Sequence, residues 1–192
     1  MGLYPLIKLK GEDKKMSNKL WLSEILKEDN YNILEMANEK NVFIIAPTGS
    51  GKTYFIQTEL CNESNKKYLY LCDTKNLKEQ QMLLDNVCNS KSEIAKVIDD
   101  KIEVTKKYFG RKNIIAMCYA EFGRKLIEDK ISINDFDLII ADEFHNLRKY
   151  QKMNKNEDIY LTMAISRLQR KYNNTKIIMM TATPDKANEI IY

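Results

Sequence analysis

One stretch of this chain reads Ala46-Pro47-Thr48-Gly49-Ser50-Gly51-Lys52-Thr53. It directly follows the apolar run Val42 to Ile45, and it directly precedes a segment with helical spacing that begins at Tyr54. A glycine-rich loop that ends in Lys-Thr and joins a strand to a helix is typical of polyphosphate binding. Two of the 6 glycines and one of the 3 prolines lie in this stretch, which argues against a chance glycine turn.

The residue types of this loop suit a phosphate cradle. Gly49 and Gly51 permit backbone conformations and a close backbone approach that a side chain would block. The following helix adds the positive end of its dipole. Lys52 can reach the β and γ phosphates of a nucleotide, and the Thr53 hydroxyl can ligate Mg²⁺. The predicted nucleotide-binding residues are Pro47, Thr48, Gly49, Ser50, Gly51, Lys52 and Thr53.

A second chemical segment, Asp142-Glu143-Phe144-His145, follows the apolar run Leu138 to Ala141. Its carboxylates therefore emerge at the carboxyl end of a predicted strand, which is the ligand-binding edge of an open α/β sheet. We expect Asp142 to lie near Mg²⁺ and Glu143 to orient, or accept a proton from, the water that attacks the γ-phosphate. The alternative for this pair is an ordinary solvated turn.

His145 is the only histidine of the chain, so no second histidine can complete a metal site with it. We interpret it as a coupling residue. From its position it could hydrogen-bond toward Thr181 or Thr183, which lie at the end of another apolar run.

Short apolar runs alternate with longer segments of helical spacing along the chain. Strands that are apolar throughout, separated by helices, predict an α/β fold with a mainly parallel sheet flanked by helices on both faces. A weak strand near Ile94 to Ile98 or Ile102 to Val104 is also possible. The predicted strands are Val42–Ile45, Tyr68–Cys72, Ile114–Cys118, Leu138–Ala141 and Ile177–Met180, and the predicted helices are Tyr54–Cys61, Leu77–Cys88, Phe122–Ile131 and Ile159–Leu168.

The chain has 192 residues, which fits one domain, and a net charge of +4, which permits a nucleic-acid partner without requiring one. We expect residues 1–18 to form a loosely held basic arm and residues 19–192 a single domain that begins with a short amphipathic helix. The longest run without a charged residue, Asn41 to Gly51, is too short to span a bilayer. With no secretory signal and 4 widely spaced cysteines, a cytoplasmic location with reduced thiols is expected.

Together these motifs resemble the first RecA-like lobe of superfamily 2 helicases and translocases of the DEAD/DEAH-like group. Ala46 to Thr53 resembles motif I, Asp142 to His145 a D-E-x-H motif II, and Thr181-Ala182-Thr183-Pro184 motif III. Weaker matches are Thr74-Lys75-Asn76-Leu77 to motif Ia, and Cys118-Tyr119 with Phe122 to motif Ib.

The resemblance implies that Lys52, Thr53, Asp142 and Glu143 bind and hydrolyse ATP·Mg²⁺. It implies that Thr181 and Thr183 relay the nucleotide state, and that Thr74, Lys75 and Tyr119 face a nucleic-acid strand. The partner would be the backbone of DNA or RNA, with DNA slightly favoured, and no membrane is implied. A basic cluster of Arg148, Lys149, Lys152 and Lys155 could add to this surface or form a solvated loop.

Four departures qualify the resemblance. Ala46 stands where the general phosphate-loop pattern has glycine. The stretch between Leu20 and Pro47 has no glutamine for an adenine-reading Q motif, and motif II ends in His145 instead of Asp, so a DExH type is favoured over a DEAD-box RNA helicase. Motifs of a second RecA-like lobe do not occur before Tyr192. We therefore expect an amino-terminal part of a longer protein, with a second lobe supplied in cis or trans and little hydrolysis by this chain alone.

Two other functions stay open at this level. One is a non-motor module that binds nucleotide or nucleic acid with negligible hydrolysis. The other is a different phosphate-loop class such as a small kinase, although neither a lid nor an acceptor site is recognisable.

Overall fold

A computed structural model describes residues 6–8, 21–72, 113–147 and 158–183. Its centre is a six-stranded, all-parallel sheet in the order β1-β2-β6-β5-β3-β4. The strands are β1 (Leu6–Lys8), β2 (Val42–Ile45), β3 (Tyr68–Cys72), β4 (Ile114–Cys118), β5 (Leu138–Ala141) and β6 (Lys176–Thr181). The predicted α/β class with a parallel sheet is confirmed, and the five predicted strands all lie in this sheet.

Helices lie between the strands in the described part of the chain, and their bounds differ slightly from the predicted ones. The helices are α1 (Leu22–Glu28), α2 (Ile33–Glu39), α3 (Lys52–Phe55, continued by a π-helical turn at Ile56–Leu60), α4 (Tyr119–Ile127) and α5 (Asp158–Leu168), and a short 3₁₀ turn spans Ile133–Asp135. α2 was not predicted. α4 begins before the predicted Phe122 because Cys118 already has the extended conformation of an N-cap residue.

The first strand corrects the expectation of a loosely held arm over residues 1–18. Leu6–Lys8 pairs in parallel with β2, with Ile7 opposite Ile44, and the Ile7 side chain is buried. This strand could not be predicted from the sequence, because only three residues take part and the surrounding segment is rich in lysine. The sheet therefore begins inside the segment that was assigned to the arm.

Side chains from alternate positions of each strand enter two separate cores, one on each face of the sheet. Val42 and Ile44 of β2 face the core that α1, α2 and α3 cover, whereas Phe43 and Ile45 face the core that α4 and α5 cover. Because both faces are buried there, β2, β3 and β5 have apolar or aromatic residues at every position. Helices on both faces of the sheet are thus confirmed.

Several predicted features lie outside the described residues. They are the helix at Leu77–Cys88, the weak strand near 94–104, motif Ia at Thr74–Leu77, the basic cluster from Arg148 to Lys155, and Pro184. Within the described part of the chain, no helix has the length and apolar character that crossing a membrane would require.

The second core depends on a close crossing of α4 and α5. Gly123 of α4 is buried, and a Cβ atom at this position would overlap the backbone carbonyl of Tyr160 in α5. A rigid backbone cannot move aside as the end of a flexible side chain can. Glycine is therefore required here for the separation of the two helices, not for its backbone freedom.

We predict that Gly123→Ala destabilises the fold by about 1–3 kcal/mol, since overpacking a tight core outweighs the gain of about 1 kcal/mol in helix propensity. Urea unfolding checks this. Lys125→Ala on the same helix is the control, because its ion pair with Glu121 is partly exposed and should change stability by less than about 1 kcal/mol. An unchanged or higher stability of Gly123→Ala would contradict the close crossing.

Candidate nucleotide-binding site

The candidate site lies where three neighbouring strands end. β6 pairs with β2 on one side and with β5 on the other, all in parallel, and Thr181 at the end of β6 is aligned with Ile45 at the end of β2. The loop from Ala46 to Thr53 leaves β2, and Asp142 follows β5 directly. A backbone hydrogen bond of 2.9 Å from the amide of Ala46 to the carbonyl of Thr181 fixes the start of the loop.

The loop has the backbone that its glycines predict. Gly49 and Gly51 have φ angles of 78° and 83°, in the region that L residues rarely adopt. A Cβ atom on Gly51 would also overlap the ring of Trp21, which is a second reason for glycine at this position. The Ser50 hydroxyl is buried and has no hydrogen-bond partner among the described residues, although buried polar atoms normally have one.

Lys52 reaches from the start of α3 across the loop to the carboxylates. Its Nζ donates to the carbonyl of Ala46 at 2.9 Å and to that of Pro47 at 3.3 Å. The same Nζ lies 4.0 Å from Oε1 of Glu143, and the two side chains are only 12% and 25% exposed. The structure therefore brings together the loop lysine and the acidic segment that sequence reasoning assigned to one site.

Asp142 is buried and oriented by two donors. Its Oδ2 accepts a hydrogen bond of 2.6 Å from the Tyr70 hydroxyl, and its Oδ1 accepts one of 3.0 Å from the amide of Glu143. Burial raises the pKa of the Asp142 carboxyl above its usual range, while the bond from Tyr70 and the charge of Lys52 act in the opposite direction. Burial raises the pKa of Tyr70 well above its usual value, so this hydroxyl keeps its proton and remains a donor.

Glu143 is held in a strained conformation. Its φ of 49° lies in the left-handed region, which costs a residue with a side chain of order 1 kcal/mol and is often found at functional sites. Its Oε2 lies 3.2 Å from Nδ1 of His145 and accepts a hydrogen bond of 3.3 Å from the amide of Ala182. The strained backbone and these contacts place the carboxylate between Lys52 and the end of β6.

His145 and the two threonines predicted for coupling form one connected group. Oγ1 of Thr181 lies 2.6 Å from Nδ1 of His145 and 3.4 Å from Oγ1 of Thr183. Thr181 also donates to Oε2 of Glu143 at 3.4 Å. A change at Glu143 can therefore reach the segment after β6 through hydrogen bonds, which is a geometry suited to coupling.

Two of the three predicted nucleic-acid contacts, Thr74 and Lys75, lie outside the described residues. The third, Tyr119, is corrected by its position. Its side chain is buried, its hydroxyl donates to the carbonyl of Asp142 at 2.6 Å, and its ring packs edge-on against Phe144. Since α4 begins at Tyr119, the ring turns into the core under the acidic segment and is not available to a nucleic acid.

Sequence reasoning missed two aromatic residues of the site. Tyr70 lies inside the apolar run of β3 and was counted as core, although its hydroxyl is the donor to Asp142. The available signal was the tyrosine hydroxyl within the otherwise apolar run of β3, the strand that pairs with β5. Trp21 was not named as a site residue; it precedes α1, is 50% exposed, and its ring lies against Gly51.

The residues present fit a magnesium nucleotide. Mg²⁺ prefers oxygen ligands and binds through one or two carboxylates together with substrate phosphates, so it requires no dedicated protein cage. The site offers the Asp142 and Glu143 carboxylates and the Thr53 hydroxyl, while Lys52 and the glycine loop suit phosphates. Within the described residues, no group of three or more His, Cys, Asp or Glu side chains could hold a metal alone.

These features define a class: a helicase-type ATP-binding lobe with an α/β RecA-like fold. The family described as type III restriction enzyme, res subunit, matches residues 7–186, and the chain belongs to this family. This membership confirms the resemblance to the RecA-like lobe of superfamily 2 helicases.

The chain is similar to the crystal structure of the Hef helicase domain from Pyrococcus furiosus, with 24% sequence identity and a TM-score of 0.49. The similarity covers 86% of this chain and 36% of that chain, so this chain spans about a third of its length. The search of curated proteins found no match.

We predict that Tyr70→Phe destabilises the fold by about 1–3 kcal/mol at neutral pH, because the buried carboxylate of Asp142 loses one of its donors. The loss should shrink in acid. The pKa of Asp142 is raised, so the folded state takes up a proton before the unfolded state does, and a protonated carboxyl needs the donor less.

Denaturant unfolding of wild type and variant between neutral pH and about pH 4 measures this difference. Tyr68→Phe is the matched control, because it makes the same change on the same strand and its hydroxyl contacts the amide of Glu63 instead. Its effect should not vary over this range. A Tyr70→Phe effect that is constant with pH would contradict the assigned role.

Proposed function

We propose that this chain is the ATP-hydrolysing lobe of a nucleic-acid helicase or translocase, which couples ATP·Mg²⁺ hydrolysis to movement along DNA or RNA. The single observation that supports this most is the 4.0 Å approach of the Lys52 ammonium to the Glu143 carboxylate across the sheet edge. An ammonium that can bind the β and γ phosphates and a carboxylate that can activate water then face the same space.

Each residue has a role in this proposal. The loop amides and Lys52 bind the phosphates, and Thr53 and Asp142 would hold Mg²⁺. When bound, Mg²⁺ would neutralise charge on the phosphate oxygens. Glu143 orients the attacking water and accepts its proton, and its position between Lys52 and the end of β6 supports this role. The low exposure of the site lets these charges act with less screening than in open water.

The partners are part of the proposal. Thr74 and Lys75 would contact the backbone of a single strand, and the family description, a restriction enzyme subunit, favours DNA. A second RecA-like lobe, in cis or in trans, would cover the nucleotide and supply cations near the γ-phosphate, a contribution worth about 10³ to 10⁵ in rate for an arginine finger. A cytoplasmic location stays a prediction.

We predict that Lys52→Ala lowers the affinity for ATP·Mg²⁺ at least tenfold, whereas Glu143→Gln keeps the affinity and stops turnover. Titration calorimetry measures binding, and phosphate release measures turnover by the chain together with its second lobe, with and without DNA or RNA. Lys27→Ala is the control, since this lysine is 73% exposed and pairs only at the surface with Glu59.

The outcomes separate the open functions. Hydrolysis that DNA or RNA stimulates, and that Glu143→Gln abolishes, supports the proposal. Binding of nucleotide without hydrolysis above background, with the second lobe present, would favour the non-motor module. Phosphoryl transfer to an acceptor other than water would favour a kinase.

A further prediction concerns coupling. We expect His145→Ala to bind ATP within about threefold of wild type but to lose most of its stimulation by polynucleotide, because the contact between His145 and Thr181 is removed. His145→Gln, which keeps a hydrogen-bonding group toward Thr181, should recover part of the stimulation. Equal stimulation of wild type and His145→Ala would remove His145 from the coupling group.

A further inference from the structure

Two cysteines lie side by side at the carboxyl ends of neighbouring strands. Cys72 is the last residue of β3, Cys118 is the last residue of β4, and the two are direct partners in the parallel register. Cys72 belongs to the core that α1, α2 and α3 cover, and Cys118 lies two residues after Ala116 of the same core. Because side chains alternate along a strand, both thiols lie on one face of the sheet.

The spacing of this pair suits a disulfide bond. Register partners on adjacent strands have α-carbons about 4.8 Å apart, which lies within the range of about 4.4–6.8 Å for bonded cysteines. The Cys72 thiol already points toward β4, since it donates to the carbonyl of Met117 at 3.6 Å. Both strands end at these cysteines, so a small movement of the two ends can bring the sulfur atoms together.

The two thiols differ in exposure. Cys118 is partly exposed, whereas Cys72 is fully buried. An oxidant in solution therefore reaches Cys118 first, and Cys72 lies beside it to resolve the oxidised sulfur. An accessible cysteine next to a resolving cysteine is typical of redox-sensitive proteins.

Both cysteines adjoin residues that hold the backbone of Asp142. The carbonyl of Leu71, next to Cys72, accepts from the amide of Asp142 at 2.9 Å. The hydroxyl of Tyr119, next to Cys118, donates to the carbonyl of Asp142 at 2.6 Å. A disulfide has an S–S bond of about 2.05 Å, so it would draw the two strand ends toward each other and move both contacts relative to Asp142.

We propose that Cys72 and Cys118 form a dithiol switch that hydroperoxides oxidise, and that the resulting disulfide weakens nucleotide binding at the Asp142 site. The second part rests on the proposed function, because it requires a nucleotide at that site. The first part, a modification site for hydroperoxides, does not depend on it.

The oxidation balances with H₂O₂ as the oxidant. The thiolate of Cys118 attacks one peroxide oxygen, the O–O bond breaks, and the leaving hydroxide takes the thiol proton, which gives a sulfenic acid and water. The sulfur of Cys72 then attacks the sulfur of Cys118, and the sulfenic hydroxyl leaves with the Cys72 proton as a second water. The two sulfurs lose two electrons in total, and a dithiol reductant returns them.

Peptide mapping tests the disulfide without any variant. Trypsin places each of the 4 cysteines on a separate peptide, with Cys72 in residues 68–75 and Cys118 in residues 113–124. The folded chain is treated with a small excess of H₂O₂, the remaining thiols are alkylated, and the digest is examined by mass spectrometry without reductant. We expect these two peptides to be joined and dithiothreitol to separate them. Different pairs, or Cys118 oxidised without a partner, would overturn the dithiol.

Two serine variants localise the effect. Cys118→Ser should abolish the joined peptides, and the partial exposure of this position makes the change tolerable. Cys61→Ser is the matched control, because Cys61 is also a buried cysteine but follows the π-helical turn instead of ending a strand. It should form the joined peptides as wild type does. Circular dichroism confirms that both variants are folded.

Titration calorimetry with ATP·Mg²⁺ measures the effect on the site. We expect the oxidised chain to bind about tenfold more weakly than the reduced chain, which is the order of loss when a group that orients a metal ligand is disturbed. Dithiothreitol should restore the affinity, and since it does not reduce methionine sulfoxide, this recovery assigns the effect to the disulfide. Peroxide should leave the affinity of Cys118→Ser unchanged.

The two proposals fail in different ways. Equal affinity of the oxidised and reduced chains would overturn the switch, while the proposed function stands. If the reduced chain does not bind ATP·Mg²⁺, the proposed function fails and the regulatory part fails with it, whereas joined peptides would still support the modification site.

Discussion

The parallel alignment of β2, β6 and β5 is the constraint on which the rest of the site depends. Because these strands are neighbours and run in the same direction, the segments that leave their carboxyl ends must meet at one edge of the sheet. The glycine loop, the acidic segment and the Thr-Ala-Thr segment lie far apart along the chain. Only this register places Lys52 within 4.0 Å of Glu143.

Glu143 lies at the sheet edge where these segments meet. Its backbone adopts a conformation that costs free energy, and its carboxylate contacts groups that follow the ends of β2 and β6. The neighbouring Asp142 is buried, which raises the pKa of its carboxyl, although Tyr70 and Lys52 offset part of that rise. The sheet edge thus combines a strained backbone with a buried charge, although the cores on both faces are well packed. This combination is typical of functional sites.

Much of this could be predicted because the controlling signals are local. The run Val42 to Ile45 is apolar at every position since both faces of the sheet are covered, and Gly49 and Gly51 stand where the backbone has positive φ. β1 could not be predicted in the same way, because three residues in a lysine-rich segment carry no period. Its place depends on pairing with β2.

Orientation was harder to predict than position. The apolar run Ile114 to Cys118 placed Tyr119 directly after a strand, but whether its ring faces solvent or core is set by where α4 begins and by packing against Phe144. The hydrogen bond from the Tyr70 hydroxyl to Asp142 and the exposure of Trp21 depend in the same way on neighbours that are distant in sequence. Such contacts across the fold leave no periodic trace in the chain.

We propose that the loop around Lys52 and the carboxylates of Asp142 and Glu143 share one metal-bound triphosphate. A crystal structure with Mn²⁺ and a non-hydrolysable ATP analogue tests it most directly, since the anomalous signal of Mn²⁺ locates the ion independently of the protein. We expect one anomalous peak between the Thr53 hydroxyl, the Asp142 carboxylate and the β and γ phosphates. A nucleotide bound in the loop with its ion remote from Asp142, or bound on another face of the sheet, would contradict it.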